Sequence, residues 1–335
     1  NLVRLARIWI FSVMSGDKII VFRLNAMGDI LLAIPTLRAL RSAGNQVHLV
    51  VNEKWCALAP FIPAAVHYYE GGAKLLTLVS ELRALKPNII FDLQGKLSTI
   101  IMRNLLGAPL MGVYKKRTAV EQFVAATKRF PIKLKDQRPV WEKYAQVCGV
   151  EADSNPLLEM SPEYIDECRD LISKQGLTEK EFIFVHPDAS KPGKEIPDEL
   201  LRNLAPMLEL PAAIVGTGTR ELDVPEKYLD LRNEFDLYHL PGVLSLARGV
   251  ISSDSGPMHL ARAVDVPLVA LFFQTDVSLG FAPIPSSKTI VVSNELECKP
   301  CSLHGQNKKC PLGHFKCRNI SAEQVNKALK SVVNL

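Results

Sequence analysis

The stretch VISSDSGPMHLARAV, residues 250–264, joins an apolar run to a helical pattern through Asp254, Ser255 and Gly256. The run GVISS (249–253) reads as a buried strand. Pro257 suits the first position of a helix, and the apolar spacing beyond it is helical. A strand that ends in such a turn and feeds a helix is the repeating step of a parallel α/β sheet. A helix start presents unpaired backbone N–H groups and a partial positive charge, and both attract phosphate. Gly256 lets the backbone come close to a ligand, Ser255 offers a hydroxyl, and His259 sits in the first turn. Asp254 or Ser255 alone reads as a helix cap. Asp254, Ser255, Gly256 and His259 together favour diphosphate binding.

The same alternation runs along the whole chain. In the first half KIIVFRL (18–24), QVHLVV (46–51), NIIFDL (88–93) and PLMGV (109–113) read as strands. DILLAIPTLRALRSAG (29–44) and KLLTLVSELRALK (74–86) read as helices. Residues 149–162 are polar and carry proline, which marks a linker. Beyond it EFIFVHP (181–187), PAAIVG (211–216), GVISS and PLVALFF (267–273) are strands, and DELLRNLAPMLEL (198–210) is a helix. The expected fold class is therefore α/β, with two Rossmann-like parallel-sheet domains facing a central cleft. The domains are placed at 1–155 and 156–335, with a C-terminal helix free to pack back on the first. Ligands in such sheets sit at the carboxyl ends of the strands.

Bulk properties agree. The 335 residues are 47% hydrophobic and 22% charged, with a net charge of +5, which suits two soluble domains. There is no block of like charge to act as a nucleic-acid arm. No apolar stretch reaches the ~18 residues of a membrane span, and the opening NLVRLARIWIFSVMSGDK lacks a cleavage site for a signal peptide. Arg4 and Arg7 lie one turn apart in that opening. It reads as a helix packed on its domain, or as one resting on anionic lipid. The chain has seven cysteines, and Cys56, Cys148 and Cys168 are scattered. An odd, dispersed set fits a reducing compartment, hence a cytoplasmic location.

Other strand ends carry candidate residues. The loop after His186 holds Lys191 and Lys194. A lysine there can neutralise a leaving phosphate, or it can be routine solvated charge, and spacing does not choose. Glu221 suits ribose hydroxyls or the first turn of a helix; the nearby Gly216-x-Gly218 is only a fragment of a dinucleotide fingerprint. Asp29, directly after the first strand, reads as a general base or, more simply, as a helix-capping acid. Asp92, Gln94 and Gly95 form a similar junction. There is no GxxxxGK(S/T), no G-x-S-x-G and no HExxH, which removes P-loop chemistry, a serine acyl nucleophile and that type of zinc site. Cys298, Cys301, Cys310 and Cys317 start with C-x2-C and have the look of a structural zinc site. Their second pair is spaced loosely, and free thiols are the simpler reading.

Taken in order, NAMGDILLAIPTLRALR, NIIFDLQGK, LMGV, HPDASKPGKEIPDELLRNLA and SSDSGPMHLARAVDVPLVALF resemble glycosyltransferase family 9, the ADP-heptose:lipopolysaccharide heptosyltransferases. The resemblance covers nearly everything beyond residue 17. It implies a GT-B fold, the acceptor in the N-terminal domain, and the nucleotide sugar in the C-terminal one. It further implies inverting transfer of heptose from ADP-heptose to a lipid-linked saccharide, lipid A–Kdo or a heptosyl acceptor, with no metal cofactor; the opening segment, if it rests on lipid, would add peripheral contact with the inner membrane. Asp29 matches the family's base and Lys194 its donor-phosphate lysine. Asp254, Ser255, Gly256, Pro257 and His259 match the diphosphate turn, and Glu221 a ribose-binding acid. The chain departs from the family pattern at Ile196, where tryptophan is usual, and at Asn233 and Asp236, where glycine and a hydroxyl residue are usual. Those departures keep open a UDP- or GDP-sugar donor, and the fold alone keeps open a silent nucleotide-binding regulator.

Overall fold

The apolar runs become the inner strands of two parallel sheets. A computed structural model describes residues 15–115, 136–155, 157–218, 220–306, 309–310 and 312–334. The opening basic–apolar segment lies outside these residues up to position 14. The described chain forms β1 (Lys18–Phe22), α1 (Met27–Leu31), α2 (Ile34–Ser42), β2 (Gln46–Asn52), β3 (Ala65–Tyr69), α3 (Leu75–Ala84), β4 (Ile89–Asp92), α4 (Leu97–Leu106), β5 (Leu110–Val113) and α5 (Val140–Cys148). It continues with α6 (Pro162–Lys174), β6 (Ile183–His186), α7 (Asp198–Leu204), β7 (Ala212–Ile214), β8 (Tyr228–Asp230), α8 (Leu240–Ser245), β9 (Gly249–Ser253), α9 (Gly256–Ala263), β10 (Leu268–Phe272), β11 (Thr289–Ser293) and α10 (Ala322–Val333). Two compact units result. Among the described residues, one holds those up to Asn25, those from Ala33 to Lys115 and Trp141–Asp153; the other holds Ala26–Leu32, those from Asp136 to Val140 and those from Ser154 onward.

The first unit's sheet has the order β3-β2-β1-β4-β5, with every pairing parallel. Ile19–Phe22 of β1 are 0% exposed, because a parallel strand is covered on both faces and so needs apolar residues on both. Ile20, Phe22 and Val50 of this sheet pack with Leu78, Leu82 and Met102 of α3 and α4. At the end of β4 Asp92 is fully buried. Its Oδ1 accepts from the Gln94 and Gly95 amides, and its Oδ2 accepts from Thr99 Oγ1 at 3.0 Å and Arg103 Nη1 at 2.9 Å. Asp92 therefore shapes the β4–α4 loop.

The second unit's sheet has the order β11-β10-β9-β6-β7-β8, again all parallel. Its core joins Val185, Ile214, Ile251 and Leu271 to Leu329 and Val332 of α10. The terminal helix thus spends its apolar face in the second unit. Its start is a capping box: Ser321 Oγ accepts from the Gln324 amide at 3.2 Å, and Gln324 Oε1 accepts from the Ser321 amide at 2.8 Å. Ile196 is fully buried in this core.

Two local departures from the expected elements have physical causes. The helix expected over 29–44 is two helices, broken at Leu32–Ala33. Pro35 has no N–H to give, and its ring would meet the carbonyl four residues earlier. The break also separates Ala26–Leu32, which joins the second unit, from Ala33 onward, which joins the first. Strands β3, β8 and β11 were not expected. All three lie at sheet edges, where partial exposure removes the need for an unbroken apolar run.

Candidate functional site

In the second sheet β6 and β9 are neighbours from which the chain proceeds in opposite directions, to β7 and to β10. This is the switch point where such sheets bind ligands beyond their carboxyl ends. His186 ends β6, and Ser253, Asp254 and Ser255 end β9 and lead into α9. Ser255 is the N-cap of α9, yet its side chain makes no capping hydrogen bond. Its hydroxyl instead lies 3.1 Å from the Ser253 carbonyl and 3.2 Å from His186 Nδ1. Asp254 does not cap either: its Oδ2 meets Lys194 Nζ at 2.8 Å and Thr275 Oγ1 at 2.7 Å. The Gly256 and Met258 amides at the helix start are therefore not occupied by these two neighbours. Pro257 takes the second helical position, after Gly256, rather than the first. It still falls where a missing N–H costs nothing.

Lys194 sits on a loop held at several points. The Gly193 amide donates to the Gly305 carbonyl at 2.9 Å, and the Gln274 amide donates to the Gly193 carbonyl at 3.2 Å. Arg318 Nη1 donates to the Pro192 carbonyl at 3.3 Å. Gly305 and Arg318 belong to the cysteine-rich region, so that region braces the loop of Lys194. None of the seven cysteines is in a disulfide. Among the described residues, Cys298, Cys301, Cys310 and Cys317 included, no three His, Cys, Asp or Glu side chains are placed to hold a metal ion.

Helix α1 meets α9 within the same unit, and each helix uses a glycine to admit the other. A Cβ on Gly256 would lie 2.2 Å from Met27 Cε, and a Cβ on Gly28 would lie 2.5 Å from His259 Cδ2. Asp29, the residue after Gly28, is half-buried, and its Oδ2 accepts from the Ala26 amide at 3.1 Å. Thus the capping role is present, and the same carboxylate lies within electrostatic reach of His259, as do Asp254 and Lys194. The structure thereby gathers Asp29, Lys194, Asp254, Ser255, Gly256, Pro257 and His259. Glu221 is exposed on the loop after β7 and makes no hydrogen bond among the described residues. Gly28→Ala is expected to lower turnover about 10²-fold, because displacing His259 by an ångström disturbs every group beside it. Steady-state kinetics with an unchanged circular dichroism spectrum would verify this; near-normal kcat would show that the close approach is dispensable.

Burial pushes the His259 imidazole down to about 4; Lys194 adds to this, and the Asp254 and Asp29 carboxylates oppose it. Burial likewise pushes His186 down to about 4, opposed by Asp188. Both rings are neutral near pH 7. In the unfolded chain each takes a proton near pH 6.5, so between 6.5 and 4 the unfolded state binds more protons. Stability is therefore fully present above pH 6.5 and falls as pH drops toward 4, by about 3 kcal/mol for each ring. Thermal midpoints from pH 7 to 4 are expected to fall less steeply in His186→Asn/His259→Gln than in the wild type; equal slopes would contradict the assignment.

Asn233 has φ +66° and donates its amide to the Gly216 carbonyl at 2.8 Å. A left-handed turn is thus formed here without glycine, since Asn tolerates this region. Asp236 Oδ1 accepts from the His239 amide at 2.9 Å and organises the start of α8.

A model of glycosyltransferase family 9 (heptosyltransferase) matches residues 75–312, more than half of the chain. The chain belongs to glycosyltransferase family 9. The match takes in Lys194 and the α9 turn but begins after Asp29. Over 84 residues the chain is 34% identical to lipooligosaccharide heptosyltransferase 2 of Campylobacter jejuni, a stretch covering 25% of each chain. It is 24% identical to lipopolysaccharide heptosyltransferase 1 of Campylobacter coli, over 77% of this chain and 84% of that one. A family 9 glycosyl transferase from Veillonella parvula superposes with a TM-score of 0.76 at 22% identity, covering 96% of this chain and 98% of that one. An ADP-heptose lipopolysaccharide heptosyltransferase II from E. coli does so at 0.67 and 18%, covering 95% and 98%. These superpositions bear out the GT-B fold.

Residue types alone do not mark two neighbours of this candidate site. Thr275 shares the Asp254 oxygen with Lys194; it follows β10 with no pattern to mark it. His186 was visible only as the last residue of a strand. Its buried place beside Ser255 comes from sheet pairing, in which it stands opposite Ser252 of β9.

Proposed function

We propose that this chain is an inverting heptosyltransferase that moves heptose from ADP-heptose to the inner core of lipopolysaccharide. The observation that carries the reading is the start of α9: Asp254 and Ser255 leave its amides uncapped, and Lys194 stands over it, 2.8 Å from Asp254. Helix amides and a lysine at a sheet's switch point suit a diphosphate. Similarity to the E. coli and Campylobacter heptosyltransferases supports heptose and lipopolysaccharide as the substrate class.

In the proposed step, Asp29 takes the proton of an acceptor hydroxyl. The acceptor oxygen bonds to the anomeric carbon as the bond from that carbon to the β-phosphate oxygen breaks. The electron pair departs with the nucleoside diphosphate, and Lys194 and the α9 amides meet the growing negative charge. His259, held neutral, adds no competing cation that would draw the Asp29 carboxylate into an ion pair. Among the described residues no helix is long and apolar enough to cross a membrane.

The test is a panel of ADP-, UDP- and GDP-sugars with truncated lipopolysaccharide acceptors, read by mass spectrometry of the acceptor. A heptose increment with ADP-heptose alone is expected. Transfer only from a UDP- or GDP-sugar would overturn the donor assignment. Nucleotide binding with no transfer to any acceptor would favour a regulator of the same fold.

A further inference from the structure

His186 is 6% exposed at the end of β6. Its ring lies against Gly216, where a Cβ would come within 2.9 Å of Cδ2 and Nε2. Gly216 itself has φ +134°, which side chains rarely adopt, and its carbonyl is held by the Asn233 amide at 2.8 Å. The glycine thus leaves a slot that fixes the imidazole plane. On its other edge Nδ1 is 3.2 Å from Ser255 Oγ.

The Ser255 hydroxyl carries one proton. The Ser253 carbonyl, at 3.1 Å, can only accept it. With that proton given to a carbonyl, the contact to His186 requires Nδ1 to be the donor and Ser255 Oγ the acceptor. Burial keeps the ring neutral, so a single N–H at Nδ1 is compatible with an Nε2 face seated on Gly216. An anion at the start of α9 then needs only a rotation of the Ser255 hydroxyl: the proton turns from the Ser253 carbonyl to the anion while the oxygen stays held by the imidazole. The opposite tautomer would draw the proton inward and leave an oxygen lone pair facing the phosphate.

We infer that His186 is a positioning residue for the donor diphosphate and acts through Ser255, holding its oxygen so that its proton faces the phosphate. This rests on the diphosphate site proposed above. It adds a residue, a direction of hydrogen bonding and a requirement for glycine at 216.

The experiment is calorimetric titration of the full chain with ADP, UDP and GDP. The variants are His186→Leu, His186→Asn, Ser255→Ala and His186→Leu/Ser255→Ala, each checked by thermal unfolding. Asparagine places an amide N–H where Nδ1 stands; leucine fills the slot without a donor. His186→Leu and Ser255→Ala are each expected to weaken binding of the preferred nucleotide about 5- to 10-fold, the size of one hydrogen bond. His186→Asn should recover most of the affinity, and the double variant should bind no worse than Ser255→Ala. If His186→Leu does not fold, His186→Gln, whose amide reaches past Ser255, takes its place with the same expected loss. Equal losses from His186→Leu with and without Ser255, or no rescue by asparagine, would overturn the inference and leave the diphosphate site standing. A wild-type chain that binds none of the three nucleotides would overturn the site itself, and this role of His186 with it.

Discussion

Asp29→Asn is expected to lower transfer by three decades or more while nucleotide affinity stays within about twofold. General-base catalysis by one positioned carboxylate is commonly worth about 10²–10⁴ in rate, and asparagine abolishes the basicity without changing the shape. The choice of asparagine matters because Asp29 has a second task, accepting the Ala26 amide at the start of α1. An amide oxygen can keep that bond, so α1 should still seat against α9. Alanine would remove both functions and confound them. Rapid-quench measurement of a single turnover on a verified acceptor isolates the chemical step. Turnover close to wild type in Asp29→Asn would end the base assignment, whatever the family pattern suggests.

Lys194→Ala is expected to cost two to three decades in kcat/KM. Removing one preorganised donor from developing negative charge typically costs about 3–4 kcal/mol. Most of the loss should appear in kcat, since the charge on the leaving group grows toward the transition state; some should appear as weaker donor binding. The variant has a structural side effect as well. Asp254 is only 5% exposed, and without Lys194 it keeps Thr275 but loses its cation. A buried carboxylate so stripped destabilises its surroundings. Lys194→Ala/Asp254→Asn removes the stranded charge and should recover thermal stability without recovering turnover. Recovery of turnover by the double variant would show that Lys194 only balances Asp254 and does not serve the leaving group.

Much of this was legible in residue order, and the reasons are local. Ile19–Phe22, Ile183–Val185 and Leu268–Phe272 are strands covered on both faces, so burial writes them as unbroken apolar runs. The turn from Ser253 to His259 combines residue types whose backbone preferences and chemistry coincide, and it lies where the sheet needs a loop. Asn233 could be placed in a left-handed turn because its side chain tolerates that conformation. The half-exposed edge strands β3, β8 and β11 carry no such signature, and the break before Pro35 was hidden inside an apolar pattern that continues across it.

The sequence by itself determined the α/β class, the inner strands, the family and the identity of Asp29, Lys194 and the α9 turn as candidates. Only the tertiary structure decided that Gly28 and Gly256 let α1 close on α9, that Lys194 pairs with Asp254, and that His186 reaches Ser255. The physical reason is separation along the chain. Periodicity and turn chemistry act over a few residues, whereas these contacts join groups tens to hundreds of residues apart, and only the pairing of strands and the close packing of side chains bring them within reach.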